Sequence, residues 1–284
     1  MTVSHWSPLA SSPEDAIVAA RLQSHVAAQW LARMARAFLA AQPDYSHTNL
    51  GWDDAKRGFF THALGPGNLR AGLMLDDLAL VIGEDDSLAL DGRTDSEVGS
   101  WVAEALLRHG LPAGDLDNDM PDELSSHALA GGGLYNLESL KKAQSQLADW
   151  FANADRALNE VHDRYRHLEP GPSPVRCWPH HFDLATLISL EAGDPERARS
   201  VGVGLSPGDD TYAAPYFYVN PWPQPQANDL PDIGPIGGWH TEGFVGVVAT
   251  AGDVVSASPQ PDTVYEFLDT AVTACLAVLD FKEP

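Results

Sequence analysis

The sequence has few basic residues, and lysine occurs only four times. Seventeen lysines and arginines stand against 40 aspartates and glutamates in 284 residues, which gives a formal net charge of −23 at pH 7. A surface with this excess of carboxylates repels nucleic-acid phosphates and anionic lipid headgroups. We therefore expect neither nucleic acid nor a membrane surface among the partners, and we interpret the acidity first as a source of solubility.

Cysteine and long apolar runs are also rare. The two cysteines, Cys177 and Cys275, form no C-x-x-C pair, so no zinc-finger or dithiol redox motif is present and reduced, buried thiols are expected. No apolar run approaches the ~20 residues that a membrane-spanning helix needs. The first 20 residues lack a basic start and an apolar core, which argues against a signal peptide. These absences predict a cytoplasmic protein.

Helical periodicity is the strongest positive signal. Apolar residues recur every three to four positions in four segments, residues 14–41, 95–109, 137–167 and 263–279, which is the spacing of amphipathic helices. Short apolar runs between turn residues predict a β-meander over residues 69–90. They also predict five further strands, at residues 175–178, 182–190, 201–205, 215–220 and 243–250. The fold class predicted from this pattern is α+β.

The two halves of the sequence share one plan, a long helix followed by antiparallel strands and a closing helix. We predict two similar halves, residues 1–135 and 136–284, each an antiparallel sheet with long helices. Residues 47–50 resemble residues 181–184, and residues 72–75 resemble residues 202–205, which favours an internal duplication. Chance similarity between two α+β halves stays open as the alternative. Because the second half keeps more polar clusters, we expect the functional site there.

Two short polar segments of the second half carry the candidate site. His181 and Asp183 stand two residues apart in the first segment, and His240 and Glu242 in the second. Side chains two positions apart in an extended chain lie on the same face, so each pair is expected to project together. Two imidazoles and two carboxylates suit Zn, Mn or Fe. A metal site, a metal-free polar pocket and plain structural roles all remain open.

Aromatic side chains near these segments are expected to wall a pocket. Tyr216 and Tyr218 share one face of their predicted strand, and their rings suit a cleft. A serine hydrolase is not expected, because residues 204–208 match G-x-S-x-G with Pro207 where the nucleophile elbow needs a backbone N–H. The predicted ligand-binding residues are His180, His181, Asp183, Ser206, Asp209, Tyr216, Tyr218, Trp239, His240 and Glu242.

Four motifs resemble a bacterial family that is catalogued only as a domain of unknown function. They are S-P-V at residues 173–175, F-D-L-A at 182–185, S-P-G-D at 206–209 and P-Y-F-Y at 215–218. The resemblance covers most of the chain and implies no established activity, cofactor or substrate. It also implies family members without the pair of histidines at 180 and 181, so a histidine metal site would not be a property of the whole family.

Three functions follow as hypotheses. In the leading one, a pocket of the second half binds a small polar molecule through His181, Asp183 and His240. In the second, a hydrolase-like enzyme holds a divalent metal through those three residues and Glu242, and the metal activates a bound water. In the third, the aromatic, proline-rich surface near Trp222 forms an interaction module, as in a homodimer.

Overall fold

A computed structural model describes residues 6–65, 67–112, 114, 116–194, 197–228 and 230–282 of the chain. These residues form helices and two antiparallel sheets, one of five strands and one of seven. The predicted α+β class is therefore confirmed. Within the described residues, no helix has both the length and the apolar character needed to cross a membrane.

The chain divides into two compact units. The N-terminal unit comprises residues 12–148 and 177–182, and the C-terminal unit comprises residues 1–11, 149–176 and 183–284. This division differs from the simple one that we predicted after residue 135, because each unit includes a short segment from the other half of the sequence. The boundary at residue 148 lies inside a long helix.

The N-terminal unit contains a long helix and a five-stranded meander. Its sheet follows the order of the sequence, β1-β2-β3-β4-β5. The elements are α1 (Glu14–Phe38), β1 (Gly51–Asp53), β2 (Gly58–Phe60), β3 (Ala71–Met74), β4 (Ala79–Ile82), β5 (Asp86–Ala89), α2 (Asp95–Arg108), α3 (Asp122–Ser125) and the first residues of α4 (Lys141–Tyr165).

Local sequence explains where these helices begin. Glu14 and Asp15 occupy the first turn of α1, where their negative charge complements the helix dipole. Helix α2 begins with a capping box: the Thr94 side chain accepts from the backbone N–H of Glu97, and a Glu97 carboxylate oxygen accepts from the backbone N–H of Thr94 at 2.8 Å. Two N–H groups that the helix itself leaves unpaired are thereby satisfied.

The C-terminal unit contains the larger sheet and the closing helix. Six of its strands run in the order β11-β12-β10-β9-β8-β6, and the seventh, β7, lies off this path. The elements are the rest of α4, β6 (Gly171–Pro172), β8 (Asp183–Ser189), β9 (Ser200–Ser206), β10 (Tyr216–Trp222), β11 (Gly238–His240), β12 (Gly246–Thr250), α5 (Ala251–Val255) and α6 (Gln260–Val278). Strand β7 (Arg176–Trp178) has only its first residue in this unit.

One face of this sheet is apolar and the other polar. Val203 and Val219 pair across β9 and β10, and α6 packs against these two strands. The alternate positions of the same strands carry Gly204, Ser206, Tyr216 and Tyr218, which alternation places on the opposite face. The core thus fixes which side of the sheet presents polar groups.

The first described residues belong to this C-terminal unit. Asn153 accepts from the backbone N–H of Ser7 at 3.0 Å and donates to its carbonyl at 2.8 Å, and Gln260 makes the same reciprocal pair with Leu9. These amide side chains satisfy backbone groups of a segment that has no strand partner of its own.

The internal duplication of the two halves stays a prediction. The two sheets differ in strand order, so their topology does not establish it.

Candidate functional site

Three tyrosines of the C-terminal unit form the centre of the candidate site. Tyr216 and Tyr218 lie on β10, where Tyr216 pairs with Ser206 and Tyr218 with Gly204 of β9. Their ring centroids are 6.3 Å apart, and the ring of Tyr212 lies 4.9 Å from that of Tyr216. The predicted shared face of Tyr216 and Tyr218 is confirmed. We call these three residues, with their acceptors Asp183, Asp209 and His240, the tyrosine cluster.

The Tyr218 ring lies across β9. Its hydroxyl donates to a carboxylate oxygen of Asp183, which begins β8 on the far side of β9. A Cβ atom on Gly204 would stand 2.5 Å from the Tyr218 Cζ and hydroxyl oxygen, so residue 204 must lack a side chain for the ring to take this path. Gly204, Tyr218 and Asp183 therefore act as one structural unit.

Asp209 organises the loop between β9 and β10. Its Oδ1 accepts from the backbone N–H groups of Thr211 and Tyr212 at 2.7 and 2.8 Å, and its Oδ2 accepts from the Tyr216 hydroxyl at 2.6 Å. Burial raises the pKa of the Tyr216 hydroxyl well above its ordinary value, and the hydrogen bond to Asp209 adds to the shift while one with Ser206 opposes it. Tyr216 therefore stays protonated and donates to the Asp209 carboxylate.

The hydroxyl of Tyr212, the third tyrosine, is hydrogen-bonded to the imidazole of His240. The Nε2 atom of His240 lies 2.5 Å from the carbonyl oxygen of Glu242, which can only accept, so Nε2 carries the proton in the neutral ring. The Nδ1 atom then accepts from the Tyr212 hydroxyl at 3.0 Å. The His240 ring also stacks on Phe244 at 4.3 Å. Both nitrogens of His240 are thus used within the protein.

The predicted common face of His240 and Glu242 is wrong. Strand β11 ends at His240 and the chain bends at Glu242, so strand alternation does not extend over the pair. The imidazole meets the backbone of Glu242, whose own side chain is exposed. Trp239 is also wrongly placed as a pocket wall: it pairs with Val247 on the opposite face of the sheet, and its indole N–H donates to the carbonyl of Pro231 at 2.8 Å.

The predicted extended segment around His180 and His181 is wrong as well. The backbone N–H groups of His181 and Phe182 both donate to the carbonyl of Trp178, at 3.1 and 2.7 Å, which closes a turn. Phe182 adopts a left-handed φ of 59°, a strained conformation for a bulky residue. Strand alternation therefore fails between His181 and Asp183, and the two histidines belong to the N-terminal unit.

Both histidines lie near a third, His25 of α1, in that unit. Burial is the main cause that lowers the pKa of His25 to about 4, and His180, whose own pKa is lowered by burial and by His181, contributes to it. The Nε2–H group of His25 donates to the carbonyl of Pro179 at 2.8 Å, and its ring stacks on Phe182 at 5.3 Å. His25 is therefore a neutral core residue that holds the turn in place.

The structure gives no support to the predicted metal centre. Within the part of the chain that is described, no group of three or more His, Cys, Asp or Glu side chains is placed so that it could hold a metal ion. The shared faces on which the hypothesis depended are wrong for both pairs, and His240 has no free nitrogen to offer. The geometry of these four residues therefore does not favour a Zn-, Mn- or Fe-dependent mechanism.

No relative identifies the chain. No protein-family model, no curated protein and no solved structure matches it. The resemblance to a bacterial family of unknown function thus stays a prediction, and function has to be argued from the geometry alone.

Sequence reasoning missed two members of the site. Tyr212 was not among the predicted residues, although the spacing Asp209-Thr211-Tyr212 is typical of a carboxylate that accepts from the backbone two and three residues later. Gly204 lies in the rejected hydrolase motif and in the segment that resembles residues 72–75, and neither pattern assigned it to the site. Trp222, which we predicted to belong to an interaction surface, is 40% exposed, and its role in a homodimer stays a prediction.

Proposed function

We propose that the C-terminal unit binds a small polar molecule at the tyrosine cluster, and that this molecule is a cation rich in hydrogen-bond donors, such as an amine. The observation that carries the proposal is the direction of the hydrogen bonds. The hydroxyl protons of Tyr218 and Tyr216 are donated to Asp183 and Asp209. That of Tyr212 is donated to His240 when Nε2 carries the proton of the neutral imidazole. What the phenols can still offer a ligand is oxygen lone pairs, which accept hydrogen bonds.

The charge of the cluster favours the same class of ligand. Asp209 receives three neutral donors, and it makes no ion pair with any Lys or Arg of the described chain. Its negative charge is therefore distributed over hydrogen bonds but not cancelled. A cation would be attracted by this carboxylate and by the π face of Tyr212, which is partly exposed. The net charge of −23 would concentrate cations near the surface.

The experiment compares three small probes of similar size and different charge. Ethanolamine, ethylene glycol and glycolate are each titrated into the isotope-labelled full chain at ~0.15 M salt, a screening range in which long-range attraction is reduced. Backbone amide resonances of residues 209–218 report the site. We expect saturable shifts there with ethanolamine, weaker ones with ethylene glycol and none with glycolate.

A matched pair of variants tests the role of Asp209. Asp209→Asn and Asp210→Asn remove the same charge from adjacent residues, but Asp210 is exposed and makes none of the contacts of Asp209. We expect Asp209→Asn to weaken ethanolamine binding by about tenfold, the effect of losing one charge-assisted hydrogen bond, and Asp210→Asn to leave it nearly unchanged. Equal effects of the two variants, or equal binding of glycolate, would refute the proposal.

A further inference from the structure

A cavity of about 700 Å³ lies in the N-terminal unit, between α1, the start of α2 and the segment that contains α3. Its walls are partly apolar, from Gly99, Met120 and Leu129, and partly charged, from Arg33 and Asp95. The volume falls in the range of small-molecule sites, which are typically apolar with a few placed polar groups. We call it the arginine cavity.

Arg33 is the unusual residue of this cavity. It is only 3% exposed, yet it forms no ion pair with a carboxylate of the described residues, and its one hydrogen bond there is a long one of 3.4 Å from Nε to the carbonyl of Asp119. Its guanidinium carbon lies 4.4 Å from the centre of the Trp30 ring. Buried charges are normally paired, but most of the donors of this guanidinium have no acceptor among the described residues.

The two nearby carboxylates are committed to other groups. Asp117 accepts two hydrogen bonds of 2.7 Å from Arg36. Asp95 accepts from the indole N–H of Trp30 at 2.8 Å and from the Tyr135 hydroxyl at 2.9 Å, both on one oxygen. They moderate the charge of Arg33 from a distance but do not form direct bonds with it.

The aromatic ring beneath Arg33 is fixed in position. A Cβ atom on Gly99 would stand 2.6 Å from the Trp30 Cη2 atom, so α2 approaches the indole as closely as a glycine permits. With its N–H bound to Asp95 and its edge against Gly99, the ring is held from two sides. The guanidinium that stacks on it is therefore preorganised, which reduces the entropy lost on binding.

We propose that the arginine cavity binds a small organic monocarboxylate, with the carboxylate on the guanidinium of Arg33 and the apolar body against Met120 and Leu129. The planar fork of arginine matches a carboxylate with two parallel hydrogen bonds. A monoanion is favoured over a phosphate dianion because Asp95 and Asp117 also line the cavity. The apolar walls favour a carboxylate with a hydrocarbon or aromatic body over a bare ion.

Phenylacetate, its neutral analogue phenylacetamide and inorganic phosphate are the probes. Binding to the full chain is measured by ligand-detected NMR, and the unfolding midpoint by circular dichroism. We expect phenylacetate to bind saturably and to raise the midpoint. Phenylacetamide should bind at least about tenfold more weakly, because it lacks the charge that pairs with arginine, and phosphate should bind more weakly than phenylacetate.

Arg33→Met and Arg93→Met are the matched variants. Both replace an arginine of the N-terminal unit by an apolar residue, but Arg93 is exposed and binds the carbonyl of Ala89. We expect Arg33→Met to weaken phenylacetate binding at least about tenfold without lowering the unfolding midpoint, since removal of an unpaired buried charge is not destabilising. Arg93→Met should bind as the parent chain does.

Three results would overturn the proposal. One is equal binding of phenylacetate to the parent chain and Arg33→Met, or no binding to the parent chain. Another is preference for phenylacetamide or phosphate. The last is a large fall in the unfolding midpoint of Arg33→Met, which would show a structural role. Arg33→Lys is an independent test, because lysine keeps the charge but not the planar guanidinium, and undiminished phenylacetate binding by this variant would equally contradict the assignment.

Discussion

The arginine cavity of the N-terminal unit has a buried cation as its central group, whereas the tyrosine cluster of the C-terminal unit is organised around a carboxylate, Asp209. In the cavity, the guanidinium of Arg33 keeps donors that no described residue accepts. In the cluster, all three phenolic protons are already donated to protein acceptors. The first region offers donors to a ligand, and the second offers acceptors.

The same residue types thus have different roles in the two regions. Asp95 and Asp209 each accept a tyrosine hydroxyl, from Tyr135 and Tyr216 respectively. Asp95 in addition fixes an indole on which a cation is stacked, while Asp209 fixes the backbone of a loop. An aspartate–tyrosine pair alone does not identify the class of ligand. The class depends on the groups that the aspartate holds in place beside the pair, an indole in one region and a loop backbone in the other.

The largest expected effect comes from Asp95→Ala. This change leaves the buried Tyr135 hydroxyl and the Trp30 N–H without their acceptor, and each unsatisfied buried group costs about 1–3 kcal/mol. We expect the free energy of unfolding, measured in urea, to fall by about 3 kcal/mol in total. Asp95→Asn keeps an oxygen acceptor and should lose less than half as much. A loss below about 1 kcal/mol for Asp95→Ala would show that the cavity network is not structurally important.

A smaller effect is expected from Gly204→Ala in the tyrosine cluster. The added methyl group collides with the Tyr218 ring, and overpacking of this kind costs about 1–3 kcal/mol. Gly202→Ala is the matched control, because the nearest atom to its added Cβ is the carbonyl oxygen of Asn220 at 3.9 Å, an ordinary contact. Urea unfolding should separate the two variants, and the Tyr218 ring resonances should move only in Gly204→Ala. Equal stability of both would mean that the ring does not depend on Gly204.

Much of this fold could be predicted from the sequence, because long amphipathic helices leave a periodic signal. The predicted helix over residues 14–41 corresponds to α1 (Glu14–Phe38), and that over 95–109 to α2 (Asp95–Arg108). The hairpin of β1 and β2 was missed, since strands of three residues are too short to show alternation. The sequence also could not predict the division into units. Residues 1–11 and 177–182 each belong to the unit formed mainly by the other half of the sequence, and this assignment depends on tertiary packing and not on a local sequence pattern.

The site was predicted only where strand alternation holds. Tyr216 and Tyr218 lie inside β10, and their common face was correct. The pairs at 181 and 183 and at 240 and 242 each cross an end of a strand, where turn geometry replaces alternation. Arg33 was missed for another reason: a buried arginine on a helix has the same sequence signature as an exposed one, and only the packing around it reveals the difference.

The smallest effect at neutral pH is expected from Tyr216→Phe, but its dependence on pH is the sharpest test of the cluster. Loss of the hydrogen bond to Asp209 should lower the free energy of unfolding by about 1 kcal/mol at pH 7. Tyr45→Phe is the control, since Tyr45 is 66% exposed, and it should change stability by less than about 0.5 kcal/mol.

The sign of the pH effect follows from the raised pKa of Tyr216 in the folded chain. Below the ordinary tyrosine pKa of about 10, both folded and unfolded chains keep the proton and the contribution of Tyr216 is fully present. Above it, the unfolded chain releases the proton while the folded chain retains it, so the parent loses up to about 1.4 kcal/mol per pH unit from this group. Tyr216→Phe has no such proton to lose. The stability difference between parent and variant should therefore shrink as pH rises from 9 to 11, and a difference that stays constant would place the Tyr216 hydroxyl in contact with solvent rather than with Asp209.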